Sequence, residues 1–127
     1  MAMKAAESIS GSELEIMRVL WESGEPMPVS EIRKALAQRK GWEATTVKTL
    51  VQRLVSKGAV RQEKRDVFHY SALIGEEEYG RWATDDLVRR LYRGSARDLV
   101  AALVKSDGLT PDDIDELREL LREGKGE

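Results

Sequence analysis

Residues 45–71 read TTVKTLVQRLVSKGAVRQEKRDVFHYS, which predicts a helix, a glycine stop and a short two-stranded ribbon. At 100° per residue, this helix has an apolar arc and a polar arc. The apolar arc consists of Val47, Leu50, Val51, Leu54 and Val55. The polar arc consists of Thr45, Thr46, Lys48, Thr49, Gln52, Arg53 and Ser56. Because the polar arc has hydroxyls, an amide and two cations but no acidic group, it is suited to approach phosphates and base edges.

Two further helices are predicted ahead of this one. The first ends near Trp21, and two pairs fit the capping box that would open it, Ser10 with Glu13 and Ser12 with Glu15. The following SGEPMP segment predicts a turn, and the second helix is predicted to open at Pro28 or Ser30.

A short hairpin is predicted after the third helix. Gly58 fits the left-handed position that closes a helix, and residues 59–65 and 67–73 alternate weakly around the turn KRD. Three basic residues lie on this hairpin, Arg61, Lys64 and Arg65. Three helices followed by a hairpin describe a mainly α fold with a small β wing, a winged helix-turn-helix domain over residues 1–75.

Residues 76–127 change to acidic helical patterns with no strand signal, and they are predicted to form a helical dimerisation region. Thr110 followed by Pro111 marks the start of the last helix. The apolar stripes of this region include Leu87, Leu91, Leu99, Leu103, Ile114, Leu117, Leu120 and Leu121. About fifty residues in three short helices are too few to hold a core alone, so we expect them to pack against a second copy. The alternative, a monomer whose helices fold back on the N-terminal domain, stays open.

Charge is distributed unevenly along the chain. Residues 1–75 hold 12 basic and 9 acidic residues, whereas residues 76–127 hold 9 basic and 14 acidic ones, which together give the net charge of −2. Between residues 33 and 65 there are 10 basic residues and only 2 acidic ones. Such a local excess attracts a polyanion, although basic residues also serve solubility alone.

Several functional classes find no support in the sequence. The chain has no cysteine and a single histidine, His69, so no thiolate metal site or two-histidine site is expected. Neighbouring carboxylates such as Asp85 and Asp86 do not face each other on a helix, and no phosphate-binding loop is present. We therefore expect no enzyme, no cofactor and no metal. No apolar run spans a bilayer and the N-terminus lacks a secretory pattern, so we expect a cytoplasmic protein.

The order and spacing of several segments resemble the BlaI/MecI family of penicillinase and methicillin-resistance repressors, which includes the copper-responsive CopY repressors. The segments are ISGSELEIMRVLW (residues 9–21), TTVKTLVQRLVSKG (residues 45–58), FHYS (residues 68–71), and DLVAALV followed by LTPDDIDELRELL. The resemblance implies a homodimeric transcriptional repressor. Its N-terminal winged helix would bind inverted-repeat operator DNA, and its C-terminal helices would dimerise.

Individual positions on the third helix follow from the resemblance. Thr46, Lys48, Thr49 and Arg53 match places that face DNA in the family, and Thr45 stands where well-known members have lysine. On the wing, Arg61, Lys64 and Arg65 are placed to reach the flanking backbone or the minor groove, and the alternative is that they are solvated turn residues.

The inducing signal stays open. Antibiotic-sensing members are cut by a sensor-linked protease between an asparagine and a phenylalanine, and the aligned pair here is Ala102 and Leu103. Both side chains differ, so this bond does not support such a protease as a partner. Copper-sensing members carry a C-terminal cysteine cluster that this chain lacks. A competing hypothesis for the whole chain is a winged-helix protein-interaction module without sequence-specific DNA binding.

Overall fold

The fold is given by a computed structural model that describes residues 2–125, with side chains for residues 5–124. The chain divides into two compact units, and the boundary along the sequence lies between Ala83 and Thr84. The elements of the described residues, in chain order, are α1 (Ala2–Glu7), α2 (Gly11–Ser23), β1 (Met27–Pro28), α3 (Val29–Ala37), α4 (Ala44–Lys57), β2 (Val60–Lys64), β3 (Phe68–Ala72), α5 (Glu76–Leu91), α6 (Ala96–Lys105) and α7 (Pro111–Lys125).

A capping box opens α2, and the structure selects one of the two predicted pairs. The Glu13 backbone N–H donates to Ser10 Oγ at 3.2 Å, and the Ser10 backbone N–H donates to Glu13 Oε1 at 2.9 Å. The exchange satisfies two N–H groups that would otherwise lack partners at the helix start. Gly24, at φ 70°, then ends the helix in the left-handed conformation.

The predicted third helix is α4, and its apolar arc forms the centre of the core. Val47, Leu50, Val51 and Leu54 are buried, and Val55 is half-buried. They pack with apolar residues of α2 and α3, which include Ile16, Met17, Ile32 and Leu36. Gly58 ends α4 at φ 81°, as predicted. The apolar arc is therefore the buried face of α4, and the polar arc is the face open to solvent.

The sheet is antiparallel with the strand order β1-β3-β2. The hairpin of β2 and β3 is the predicted wing, and its register pairs Gln62 with Tyr70 and Lys64 with Phe68. The prediction of SGEPMP as a turn alone was wrong, because Met27–Pro28 is the strand β1 and pairs with β3. A two-residue strand is too short to show alternation, and proline is tolerated there because β1 lies at the edge of the sheet.

The sequence predictions also missed α1. Ala5 and Ala6 of this helix are buried in the core of the first unit. Six residues are too few for a periodic signal, and three of them are alanine, so only packing reveals the helix.

The first unit extends eight residues beyond the boundary predicted at residue 75. Trp21 Nε1 donates to the carbonyl oxygen of Ile74 at 2.8 Å. The ring of Tyr79, in the first turn of α5, lies 5.8 Å from that of Trp21 and 5.9 Å from that of Trp82, measured between centroids. The start of α5 therefore belongs to the core of the first unit.

Local capping defines the helices of the second unit. Ser95 Oγ accepts from the Asp98 backbone N–H at 3.1 Å at the start of α6. At the start of α7, Thr110 and Asp113 exchange hydrogen bonds of 2.9 and 3.1 Å, as a capping box does. No residue described in α6 or α7 is buried. Within residues 2–125, no helix combines the length and apolar character that crossing a membrane requires.

Candidate nucleic-acid interface

The polar arc of α4 is solvent-exposed along its length. All of its members are exposed, including the six predicted to face DNA: Thr45, Thr46, Lys48, Thr49, Gln52 and Arg53. Two shallow hollows run along this face and share Thr49 and Arg53 among their lining residues. The helix thus presents hydroxyls and cations on a continuous surface while its opposite side is anchored in the core.

Ion pairs divide the basic residues between positions 33 and 65 into two groups. Five have acidic partners within 4.0 Å: Lys34 with Glu31, Arg39 with Glu22, Lys40 with Glu15, Lys57 with Glu13, and Arg65 with Glu63. In the part of the chain with described side chains, the other five have none: Arg33, Lys48, Arg53, Arg61 and Lys64. Four of these five are on α4 and β2, so positive charge without a partner is concentrated at the predicted interface.

Arg65 is the predicted wing residue whose charge is least available. Its Nε donates to Glu63 Oε2 at 2.8 Å. This hydrogen bond is the main reason that the pKa of Glu63 lies below its ordinary value. Arg61 and Lys64 remain exposed, and they alternate along β2, so they project from opposite faces of the wing.

Gln52 has partners that the sequence did not reveal. Its Nε2 donates to Tyr70 Oη at 3.3 Å and to Gln62 Oε1 at 3.5 Å. These partners are 18 and 10 residues away, beyond any helical or hairpin spacing. The amide therefore joins α4 to both strands of the wing.

A buried carboxylate supports the C-terminal end of α4. Glu13 is only 2% exposed, and it accepts a hydrogen bond from Lys57 Nζ, which also donates to the carbonyl oxygen of Ser8 at 2.6 Å. Burial acts to raise the pKa of Glu13, but the hydrogen bonds from Lys57 and Ser10 outweigh it, so this pKa lies below its ordinary value. The sequence predicted Glu13 only as a capping residue, and nothing local could indicate a partner 44 positions away.

The residues predicted for dimerisation lie on α5, α6 and α7 and remain largely open to solvent. Leu87, Leu91, Leu103, Leu120 and Leu121 are exposed by 39–66%, and Leu99, Ile114 and Leu117 are half-buried. The bond between Ala102 and Leu103 lies within the helix α6 and not in a loop. Proteases prefer exposed loop tips, so cutting this bond would require local unwinding.

No candidate metal site is found among the described side chains. None of their His, Cys, Asp and Glu residues form a group of three that could hold a metal ion. His69 lies on β3, with Nδ1 3.0 Å from the carbonyl oxygen of Val67. His69 is therefore a residue of the wing.

Comparison with known proteins matches nearly the whole chain. The family model for the penicillinase repressor matches residues 9–123. The penicillinase repressor of Bacillus licheniformis is 32% identical over 124 residues, which cover 97% of this chain and 96% of that protein. The methicillin resistance regulatory protein MecI of Staphylococcus aureus strain N315 is 29% identical over 114 residues, 89% of this chain and 92% of that one.

Two solved structures are similar to part of the chain. One is the solution structure of the DNA-binding domain of the repressor BlaI, with a TM-score of 0.51 and 36% identity. The other is the monomeric form of Bacillus licheniformis BlaI in complex with the blaP half-operator, with a TM-score of 0.50 and 36% identity. Each covers 57% of this chain and 88% of the matched chain. They confirm the predicted winged helix-turn-helix class.

Proposed function

This chain belongs to the penicillinase repressor family, and we propose that it is a cytoplasmic transcriptional repressor that binds double-stranded operator DNA as a homodimer. The observation that carries the proposal is the exposed polar arc of α4, which has no acidic residue and holds Lys48 and Arg53 free of any ion pair among the described side chains. The similarity to the monomeric form of BlaI bound to a half-operator supports the DNA-binding part of the proposal.

The residues of α4 divide between charge and base recognition. Lys48 and Arg53 provide cations for phosphates, which supply much of the affinity and make it dependent on salt. Thr45, Thr46 and Thr49 can donate to a phosphate or an acceptor base edge, or pack a methyl group against thymine. The α4 helix would lie in the major groove, where base pairs are distinguishable.

The wing would contact the backbone beside this groove. Arg61 and Lys64 are exposed and have no ion pair among the described residues, so they are the stronger candidates. Glu63 accepts from Arg65 Nε and offsets its positive charge, so Arg65 attracts a phosphate less than the other two do. We therefore assign Arg65 the smallest contribution to DNA binding of the three wing residues.

A homodimer accounts for the exposed apolar stripes of the second unit. Leu91, Leu120 and Leu121 are more than 60% exposed, although leucine is mostly a core residue. Apolar residues that stay exposed on α5, α6 and α7 are the kind of feature that marks an interface between proteins. A two-fold dimer would present two α4 helices to an inverted repeat.

Selection of bound sequences from a random DNA pool tests this function directly. The purified chain should enrich an inverted repeat. Lack of enrichment at low salt would contradict the proposal and favour a winged-helix module that binds an acidic protein, because phosphate contacts are strongest at low salt.

Two substitutions assign the roles on α4. Lys48→Ala should weaken binding to all sequences and reduce the slope of log affinity against log salt by about one, because one phosphate contact is lost. Thr49→Val should change the enriched bases more than the overall affinity, because it keeps the shape and loses the hydroxyl. Unchanged affinity in Lys48→Ala together with unchanged base preference in Thr49→Val would place the interface elsewhere.

A further inference from the structure

Gln52 differs from the other members of the polar arc. Among the side chains that the structure describes, it is the one member of this arc with a hydrogen bond to another element. Thr49 and Arg53, its neighbours on the same face, point to solvent without such a partner. A residue already engaged by protein is a poor candidate for reading a base.

The two partners of Gln52 form a rung of the wing. Gln62 on β2 and Tyr70 on β3 are directly opposed in the antiparallel register. The Gln52 amide has two N–H groups, which matches one acceptor on each strand. Its Nε2 thus holds both strands at the same level.

The wing beyond this rung has little support of its own. The next pair on this face, Lys64 with Phe68, is two residues further along, and Phe68 is 45% exposed. Val67, after the turn, is 55% exposed. β1 pairs with β3 at this rung and at the next position, where β1 ends, and beyond that position the described wing has two strands only. A two-stranded hairpin is marginally stable in water, so the direction of this part depends on how its base is held. By holding the rung of Gln62 and Tyr70, Gln52 is therefore placed to set where Lys64 projects relative to α4.

We propose that Gln52 is a positioning residue that contributes to operator binding through the wing instead of by contact with a base. It holds the rung of Gln62 and Tyr70 against α4, so that α4 and Lys64 reach the same stretch of duplex together. This inference rests on the proposed function, because it assumes that α4 and the wing both contact DNA.

Tyr70→Phe is the decisive variant. Tyr70 is only 3% exposed and therefore has almost no surface for DNA, but its hydroxyl accepts from Gln52. Removing this hydroxyl should matter only if Gln52 acts through the wing. Tyr79→Phe is the matched control, because it removes the same group from a ring that packs between Trp21 and Trp82.

Binding to the selected operator is measured by fluorescence anisotropy over a range of salt concentrations. Gln52→Ala and Tyr70→Phe should each weaken binding about fivefold, the effect of one ordinary hydrogen bond, and Tyr79→Phe should bind as the unsubstituted protein does. Gln52→Ala and Tyr70→Phe should each reduce the slope of log affinity against log salt by about one, because the wing loses a phosphate contact. The double variant should be no weaker than Gln52→Ala alone, because both changes break the same connection.

Amide hydrogen exchange in the free protein tests the connection without DNA. Exchange at residues 62–70 should be faster in Gln52→Ala and in Tyr70→Phe than in the Tyr79→Phe control. Unchanged exchange would overturn the inference whatever the DNA result. Normal binding by Tyr70→Phe, or multiplied losses in the double variant, would also overturn it and make Gln52 a direct DNA contact. Failure of the unsubstituted chain to bind any DNA would instead overturn the proposed function, and the exchange data would still report on Gln52.

Discussion

The two units use apolar residues in opposite ways. In the first unit, Leu54, Ile32 and Leu36 have no exposed surface, and the core is closed by α2, α3, α4 and the sheet. In the second unit, residues of the same type are exposed, such as Leu91 at 66% and Leu121 at 63%. The first unit therefore completes its core within one chain, whereas the second has helices whose apolar stripes still need a surface to cover them.

The largest expected effect contrasts a buried leucine with an exposed one. Leu54→Ala should lower the free energy of unfolding by about 4 kcal/mol, because it removes a fully buried side chain and leaves a cavity. Urea denaturation should show this loss equally at all protein concentrations. Leu121→Ala is the control, and its effect should shrink on dilution because it acts only through association. A concentration-independent loss for both would contradict the contrast.

The buried ion pair is expected to have the next largest effect. Lys57→Met should destabilise the first unit by about 3 kcal/mol, because Glu13 keeps a buried charge without its cation. Lys40→Met removes a more exposed cation, 4.0 Å from Glu15, and should cost a few tenths of a kcal/mol. Thermal unfolding of the two variants side by side measures the difference. Equal melting temperatures would show that the Glu13–Lys57 pair contributes little.

A charge placed in the apolar stripe of α7 tests whether the second unit covers its apolar residues by forming a dimer. Leu117→Asp should raise the dimer dissociation constant roughly thirtyfold, about 2 kcal/mol, because it places a carboxylate in the proposed interface. Gly124→Asp adds the same charge at an exposed position where a Cβ would meet no atom within 4 Å. Sedimentation should show monomers for the first variant and dimers for the second. A dimer of unchanged affinity in Leu117→Asp would remove α7 from the interface.

The smallest expected effect is the response to acid. Because the pKa of Glu13 is lowered in the folded state, its stabilisation is fully present above its ordinary value of 4.5 and is lost as the pH falls through the lowered pKa. In Lys57→Met, burial acts without the opposing cation, so protonation of Glu13 relieves the destabilisation. The stability difference between the two proteins should therefore narrow below about pH 4.5. A constant difference down to pH 3 would show that Glu13 does not respond to Lys57.

Much of the candidate interface could be predicted from the sequence because it lies on one helix. The 3.6-residue period places Lys48, Thr49 and Arg53 on the polar arc without knowledge of the fold. Ser10 and Glu13, Thr110 and Asp113, and Gly58 were recognisable because caps act over three or four residues. The DNA contacts and the dimer interface themselves stay predictions.

The available charge on the wing was harder to predict. Three basic residues on one hairpin look equivalent in sequence, yet Arg65 pairs with Glu63 while Arg61 and Lys64 have no ion pair among the described side chains. Glu63 is two residues from both Arg61 and Arg65, so spacing alone does not decide which of them pairs with it.

Local chemistry thus settled the helices, their caps and the face of α4 that meets solvent, since each depends on residues within one or two turns. Contacts between distant positions were decided only by tertiary structure. They include the pairing of β1 with β3, the packing of Tyr79 on Trp21, the Glu13–Lys57 ion pair, and the hydrogen bonds of Gln52 to the wing. The physical reason is that a hydrogen bond or ion pair between residues 18 or 44 positions apart forms only after the core has brought their elements together.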